Sequence, residues 1–402
     1  MKIFYAALIG TAISCGLIVS AFALPAGNIA QANNEFAFDL YSRLDSQSGN
    51  IFFSPYSLTS ALTMTFEGAR GPTSDEMRMA LYLPSDEVDW RTDLTSFIQR
   101  INSPNKDYAL SVANALWVQK AYPFKEDYLN LVKNTYFAEA RNLNFAADPE
   151  GSRGTINGWV SDHTNNRIND LLPNGSITPN TRFVLTNAVY FKGKWETPFK
   201  IENTKFGAFW LTPDQSVQTN MMSLAGESFL YAENDQAQVL QLPYQGNDLS
   251  MLIILPRSKN LIGLEKSLTF EMLKQWRDES ISQNVDVIFP KFKFDANYQM
   301  KDILTGMGIN LAFDDKKADF SGMTGNKDLY IDQVYHKAWI EVNEEGTEAA
   351  AATAVVMSLG MAYNPPQPKE FRADHPFIFM IQDNKTGHIL FMGRVSDPRE
   401  KS

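Results

Sequence analysis

Apolar residues recur at helical spacing behind Ser54-Pro55, at Leu58, Leu62 and Phe66. A serine followed by proline is a helix start, because the hydroxyl accepts a free N–H of the first turn and the proline sits where its missing N–H costs nothing. Thr73 with Glu76 has capping-box spacing ahead of Met77, Met79 and Leu81, which predicts a second helix there. Asp148-Pro149 opens another, with Ile156, Trp159, Val160, Ile168 and Leu171 as its apolar positions. Continuous apolar runs predict buried strands over Thr181–Phe191 and Leu249–Leu255, and further strand-like runs lie within Val285–Phe294 and Phe377–Met392. Helices come first, then alternate with strands, and the chain ends in strands. The expected class is α+β with a large sheet.

One segment departs from both periods. Residues Glu344 to Thr353 read EEGTEAAAAT, behind the strand-like stretch Ala338-Trp339-Ile340-Glu341-Val342 and ahead of prolines at 365, 366 and 368. A segment able to become a central strand must lack proline, which removes a ladder donor, and must carry no charge on its buried face. Thr347 to Met361 contains no proline. Side chains alternate across a strand, so Thr347, Ala349, Ala351, Thr353, Val355 and Met357 share one small or apolar face, while Glu348, Ala350 and Ala352 share the other. The alanines and glutamates equally suit the first turns of a helix. Both readings hold for a loop that is helical or coiled while exposed and extended once inserted.

Composition narrows the classes. The 402 residues carry a formal charge of −10 and one cysteine, enough for a large core but not for a disulfide framework. No linker or internal repeat divides them, so residues 24–402 read as a single domain. The acidic balance argues against nucleic acid and against a basic, heparin-type site. Residues 1–23 read as a secretory signal peptide: Lys2, an apolar stretch from Ile3 to Phe22, and Ala21-Phe22-Ala23 before Leu24. Cleavage there would remove Cys15 and leave no thiol. Ala12-Ile13-Ser14-Cys15 offers a second reading, a bacterial lipoprotein box that would anchor the chain to a membrane through Cys15. The expected location is secreted or periplasmic, in a bacterial export protein.

Four histidines, His163, His336, His375 and His388, form no HExxH pattern, and no GxSxG elbow, P-loop or dinucleotide fingerprint occurs. The chain is expected not to be an enzyme and to need no cofactor or metal. A hydrolase would have to assemble its triad from distant residues.

Asn50-Ile51-Phe52-Phe53-Ser54-Pro55-Tyr56-Ser57, Thr186-Asn187-Ala188-Val189-Tyr190-Phe191-Lys192-Gly193-Lys194-Trp195, Ala318-Asp319-Phe320-Ser321-Gly322 and Phe391-Met392-Gly393-Arg394 occur in one order around the small-residue segment. Together they closely resemble the signature segments of serpins across nearly the whole of residues 24–402. The resemblance implies a serpin fold: a large central mixed sheet, further sheets, about eight to nine helices, and an exposed reactive loop at about 344–370. It implies a hinge over Glu344, Glu345, Gly346, Thr347, Glu348, Ala349, Ala350, Ala351, Ala352 and Thr353. Ser54, Ser57, Asn187 and His336 correspond to the polar shutter beneath the point where the sheet opens. Trp195 corresponds to the aromatic residue where insertion begins, and Glu344 is placed to pair with Lys291 at the loop's root.

The implied function is suicide-substrate inhibition of serine proteases, with cysteine proteases also in range; the alternative is a non-inhibitory carrier, chaperone or storage member. Inhibitory relatives usually cleave fourteen residues after the hinge glycine, which places the bond at Gly360-Met361. Counting back from Pro376 leaves Leu359-Gly360, Met361-Ala362 and Tyr363-Asn364 open. No Lys or Arg lies between Thr347 and Pro368. The expected partner is therefore a protease with a small or apolar S1 pocket, elastase-, subtilisin- or chymotrypsin-like, met by a monomer.

Overall fold

The computed structural model describes residues 28–85, 87–103, 106–347 and 367–399. Its helices are α1 (Ile29–Leu44), α2 (Pro55–Phe66), α3 (Gly71–Ala80), α4 (Glu87–Ile101), α5 (Glu126–Tyr136), α6 (Pro149–His163), α7 (Ile262–Ser267), α8 (Phe270–Glu279), α9 (Lys301–Gly306) and α10 (Ser321–Thr324). The strands are β1 (Ile51–Phe53), β2 (Tyr108–Gln119), β3 (Glu139–Leu143), β4 (Phe183–Lys194), β5 (Lys205–Thr212), β6 (Gln215–Glu233), β7 (Ala237–Pro243) and β8 (Leu249–Pro256). They continue with β9 (Ile281–Pro290), β10 (Phe292–Gln299), β11 (Gln333–Asn343), β12 (Gly346–Thr347), β13 (Lys369–Arg372), β14 (Phe377–Asp383) and β15 (Ile389–Val395). Ten α-helices among the described residues exceed the eight to nine expected; α7, α9 and α10, of six residues or fewer, are too short to leave a periodic signal.

Two sheets hold the strands. A six-stranded mixed sheet runs β10-β11-β12-β4-β2-β3, and a nine-stranded sheet runs β1-β15-β14-β8-β7-β6-β9-β13 with β5 on β6. In the first, β4 and β11 lie parallel and pair directly, Val184–Tyr190 against Gln333–Trp339. Beyond that stretch the two residues of β12 wedge between them, antiparallel to both. A small core under α6, including Trp117, Ile156, Trp159, Val160 and Leu171, covers one face of β2 and β4. The main core and α2 cover the other.

α2 begins where Ser54-Pro55 places it, with Ser54 Oγ accepting from Ser57 N–H at 3.1 Å. All twelve of its residues are buried, although five of them are Ser or Thr. The hydroxyls of Ser60, Thr63 and Thr65 donate to carbonyls one turn back, at 2.7–2.9 Å, so the helix satisfies them within itself.

Three boundaries differ from the sequence reading. Thr73 does not cap α3: the helix starts at Gly71 with a proline in its first turn, and Thr73 Oγ1 instead accepts from Asp319 N–H. The Glu76 carboxylate accepts from the N–H groups of Asn310 and Leu311, on another part of the chain. Ile168 and Leu171 lie beyond α6, because Asn165 and Asn166 adopt left-handed φ of 51° and 59° and break the helix; both apolar residues remain fully buried beneath it. The run Val285–Phe294 is two strands in different sheets, β9 ending at Pro290 and β10 starting at Phe292.

Candidate functional site

β11 leads into the hinge. Its parallel neighbour β4 leads into Trp195, and the two chain ends are tied together. Trp195 N–H donates to Glu345 O at 2.8 Å, Trp195 Nε1–H to Asn343 O at 3.0 Å, and Phe199 N–H to Glu344 O at 2.8 Å. The Glu344 carboxylate accepts from Lys291 Nζ and from Thr204 Oγ1, each at 2.8 Å. Burial alone would raise its pKa; the bonds from Lys291 and Thr204 outweigh that and hold it below the usual carboxylate range.

Gly346 and Thr347 then enter the sheet. Gly346 has a φ of +152°, and a Cβ there would lie 2.1 Å from Gly193 O and 2.7 Å from Lys194 Cα, so only glycine passes this point. Thr347 is fully buried, opposite Val342 on one side and Gly193 on the other. Its hydroxyl is 2.8 Å from Tyr244 Oη, and the Tyr244 ring stacks on Trp195 at 4.7 Å. Thus the first threonine of the small-residue segment already occupies an inward position between β4 and β11. Glu348 to Thr353 and all six residues from Leu359 to Asn364 lie outside the described residues, as do residues 1–23 and Cys15.

Lower on the same two strands, where β4 and β11 pair directly, a polar cluster joins them. Asn187 on β4 stands directly opposite His336 on β11 and opposite Asn114 on β2. Asn187 Nδ2 donates to Ser57 Oγ at 2.6 Å and to Asn114 Oδ1 at 2.5 Å. Ser57 Oγ donates to Asn114 Oδ1, and Asn114 Nδ2 donates back to Ser57 O. Ser54 Oγ donates to Leu390 O at 2.6 Å, which ties the start of α2 to the other sheet.

His336 completes the cluster. Its Nε2 accepts from Ser54 N–H at 3.1 Å, so the ring proton sits on Nδ1 and is donated to Asn187 Oδ1. Burial pushes its pKa down to about 3, and the ring is neutral at ordinary pH. Every member of the cluster is buried and bonded, so separating β4 from β11 breaks a satisfied network.

Ser54, Ser57, Asn187 and His336 are therefore brought together in one cluster, and Trp195, Lys291 and Glu344 in another around the hinge. The sequence reading missed Asn114, Tyr244 and Thr204. Asn114 left one signal, a lone amide inside the apolar run Val112-Ala113-Asn114-Ala115-Leu116. The two hydroxyls left none.

The model of one protein family, described as "Serpin (serine protease inhibitor)", matches residues 31–398. The chain belongs to the serpin family. An uncharacterized serpin-like protein of Methanosarcina mazei is 43% identical over 381 residues, covering 93% of this serpin and 88% of the relative. The leukocyte elastase inhibitor of Bos taurus is 41% identical over 380 residues, covering 92% and 99%. The solved structure of human thyroxine-binding globulin with thyroxine is similar at a TM-score of 0.84 and 30% identity, covering 92% and 99%. The fold is that of serpins. One of these relatives is named for inhibiting an elastase and another for binding thyroxine, so membership of the family does not by itself choose between those roles.

Proposed function

We propose that this serpin is a suicide-substrate inhibitor of serine proteases with small or apolar S1 pockets. The observation that carries the reading is the placement of Gly346 and Thr347 between β4 and β11, at the head of a proline-free run of small residues. A protease attacks the loop, at Gly360-Met361 in this reading, and forms an acyl-enzyme. Insertion then resumes from Thr347 between β4 and β11, which must part, and carries the bound protease away before water can release it. Glu344, held by Lys291 and Thr204, anchors the fixed end, and Trp195 with Tyr244 lines the point of entry. The cluster of Ser54, Ser57, Asn114, Asn187 and His336 must exchange partners as the strand passes. The outcome is a race between insertion and deacylation, and about 1.4 kcal/mol added to the insertion barrier shifts it tenfold toward simple cleavage. Residues 1–23 would direct export, so that the mature monomer meets its proteases outside the cell.

The deciding experiment incubates the protein with elastase-, subtilisin- and chymotrypsin-like enzymes and looks for SDS-resistant complexes, with trypsin for comparison. Complexes with at least one of the first group, and slow reaction with trypsin, are expected. Clean cleavage without any adduct would place the chain instead with binding relatives such as thyroxine-binding globulin.

A further inference from the structure

A cavity of about 370 Å³ lies where the β5–β6 hairpin, the start of α7, the entry to β14 and the end of β15 meet. That is within the range of sites that enclose a small ligand, roughly 300–1,000 Å³. Its origin is a shift of register. β5 pairs with β6 residue for residue from Lys205 opposite Met221 to Trp210 opposite Ser216, but Thr212 then stands opposite Gln215, which leaves Leu211 unpaired in a bulge. Trp210 N–H donates to Asp374 O at 2.7 Å, which fixes this end of β5 to the chain that enters β14. Leu211, Pro213, Leu261, Ile262 and Pro376 supply the apolar wall. The two prolines carry no N–H, so at those points the wall offers a ligand no backbone donor. Ile262 is 63% exposed and could be covered by whatever the cavity holds.

One charged pair borders this apolar space. Glu265 of α7 and Arg394 of β15 are 2.8 Å apart, with side chains only 10% and 7% exposed. Arg394 is fully engaged: its N–H groups go to Glu265 and to the carbonyls of Asp45, Gln47 and Gly49. Glu265 is not. Its Oε1 accepts from Arg394 and from the Tyr41 hydroxyl at 2.7 Å, whereas Oε2 has no partner among the described residues. A carboxylate nine-tenths buried thus presents one unpaired acceptor to the cavity. The charge balance favours a cation there. Burial, and after it the Glu265 charge, raise the Asp45 pKa while Arg394 opposes them, so one guanidinium serves two carboxylates.

A ligand that matches must bring a positively charged donor and an apolar body. A guanidinium engages a carboxylate as a fork on two oxygens, and only one is open here; an ammonium is a compact charge that a single oxygen satisfies. The wall is aliphatic, which suits a saturated chain. We propose that this cavity binds a primary alkylammonium, its nitrogen on Glu265 Oε2 and its chain against Leu211, Leu261 and Ile262. The site stands apart from the inhibitory reading, because no residue that lines it belongs to the hinge or to the Asn187 cluster.

The test titrates hexylamine into the intact full-length protein by calorimetry at about pH 7.5, where an alkylamine is protonated as a lysine is. 1-Hexanol and hexanoate serve as neutral and anionic probes of the same length. Saturable one-to-one binding of hexylamine with a Kd of about 1 mM or tighter is expected. Hexanol keeps a donor but lacks the charge and should bind about tenfold more weakly, and hexanoate, which meets a carboxylate with no free cation beside it, should not bind. Thr212→Trp, which fills the cavity from an exposed position on the hairpin, should weaken hexylamine at least about tenfold. Glu265→Gln keeps the shape and removes the charge, and should bring hexylamine down to the affinity of hexanol. That variant also deprives Arg394 of its counter-charge, so Thr212→Trp and the three probes on unaltered protein decide the matter if it does not fold. Absence of saturation by about 10 mM hexylamine overturns the site. Equal affinity for hexylamine and hexanol overturns recognition of the charge, and undiminished binding to Thr212→Trp puts the amine elsewhere and overturns the cavity.

Discussion

Gly346 stands where the backbone of β4 leaves no room for a side chain, and Thr347 directly after it is the first residue to point into the core. Thr347→Arg would put a charge beside the Tyr244 hydroxyl with no acidic partner, and an unpaired buried charge costs several kcal/mol. In an inserted strand, alternation would put Glu348 on the opposite face. Thr347→Arg is therefore expected to convert the inhibitor into a substrate, whereas Glu348→Arg leaves most inhibition intact. Stoichiometry of inhibition against one protease measures both, and a similar loss in the two would refute the assignment of faces. Asn187 is the second sensitive residue. Asn187→Ala strands the His336 Nδ1–H and leaves Asn114 Oδ1 only the Ser57 hydroxyl as donor, and a buried group left unpaired costs about 1–3 kcal/mol. A fall of that size in the urea-unfolding free energy of the intact form is expected, while an unchanged midpoint would mean that the cluster relaxes around the gap.

At the level of elements the informative unit is β12, only two residues long, bonded on both edges and continuous with a segment able to extend it. Completing that strand adds ladder bonds and buries Val355 and Met357, each contributing about 1.5–3 kcal/mol. Protein nicked near Gly360 should thus melt well above intact protein in a calorimetric scan, and equal melting temperatures would rule insertion out. Elements also mark how far the sequence could be read. Ser54-Pro55 and Asp148-Pro149 open α2 and α6 because a cap is decided by atoms three residues apart. Thr73 and Glu76 carry the same local pattern, yet their side chains serve distant N–H groups, a choice that no local spacing records.

Across the whole molecule, two buried histidines set the response to acid. Burial pushes both His336 and His388 down to about 3. Between an unfolded value near 6.5 and that folded value the unfolded chain binds the extra protons, so their contribution to stability is complete above about pH 6.5 and is lost as pH falls. One pH unit below 6.5 should remove about 2–3 kcal/mol through the pair. The Glu344 and Asp383 carboxylates, held below their ordinary values, act only at lower pH. Urea midpoints at pH 7.5 and 5.5 test this: a clear drop is expected in the native protein and about half of it in His336→Gln. A flat profile would mean that neither ring resists protonation.

The sequence by itself determined the α+β class, the starts of two long helices, the main apolar strands, and a proline-free run of small residues poised behind Gly346. Each of these depends on neighbours a few positions apart along the chain. Which polar groups meet was decided only by the tertiary structure. Asn114 lies 57 positions from Ser57 and 73 from Asn187, and Asn187 lies 149 from His336. Those partners become neighbours only because β2, β4 and β11 are adjacent in one sheet and α2 packs against β2 and β4. The division of Val285–Phe294 between two sheets and the burial of Thr347 against Tyr244 follow from the same cause: hydrogen bonds and packing between strands are chosen by the order of strands in space, on which a local pattern carries no information.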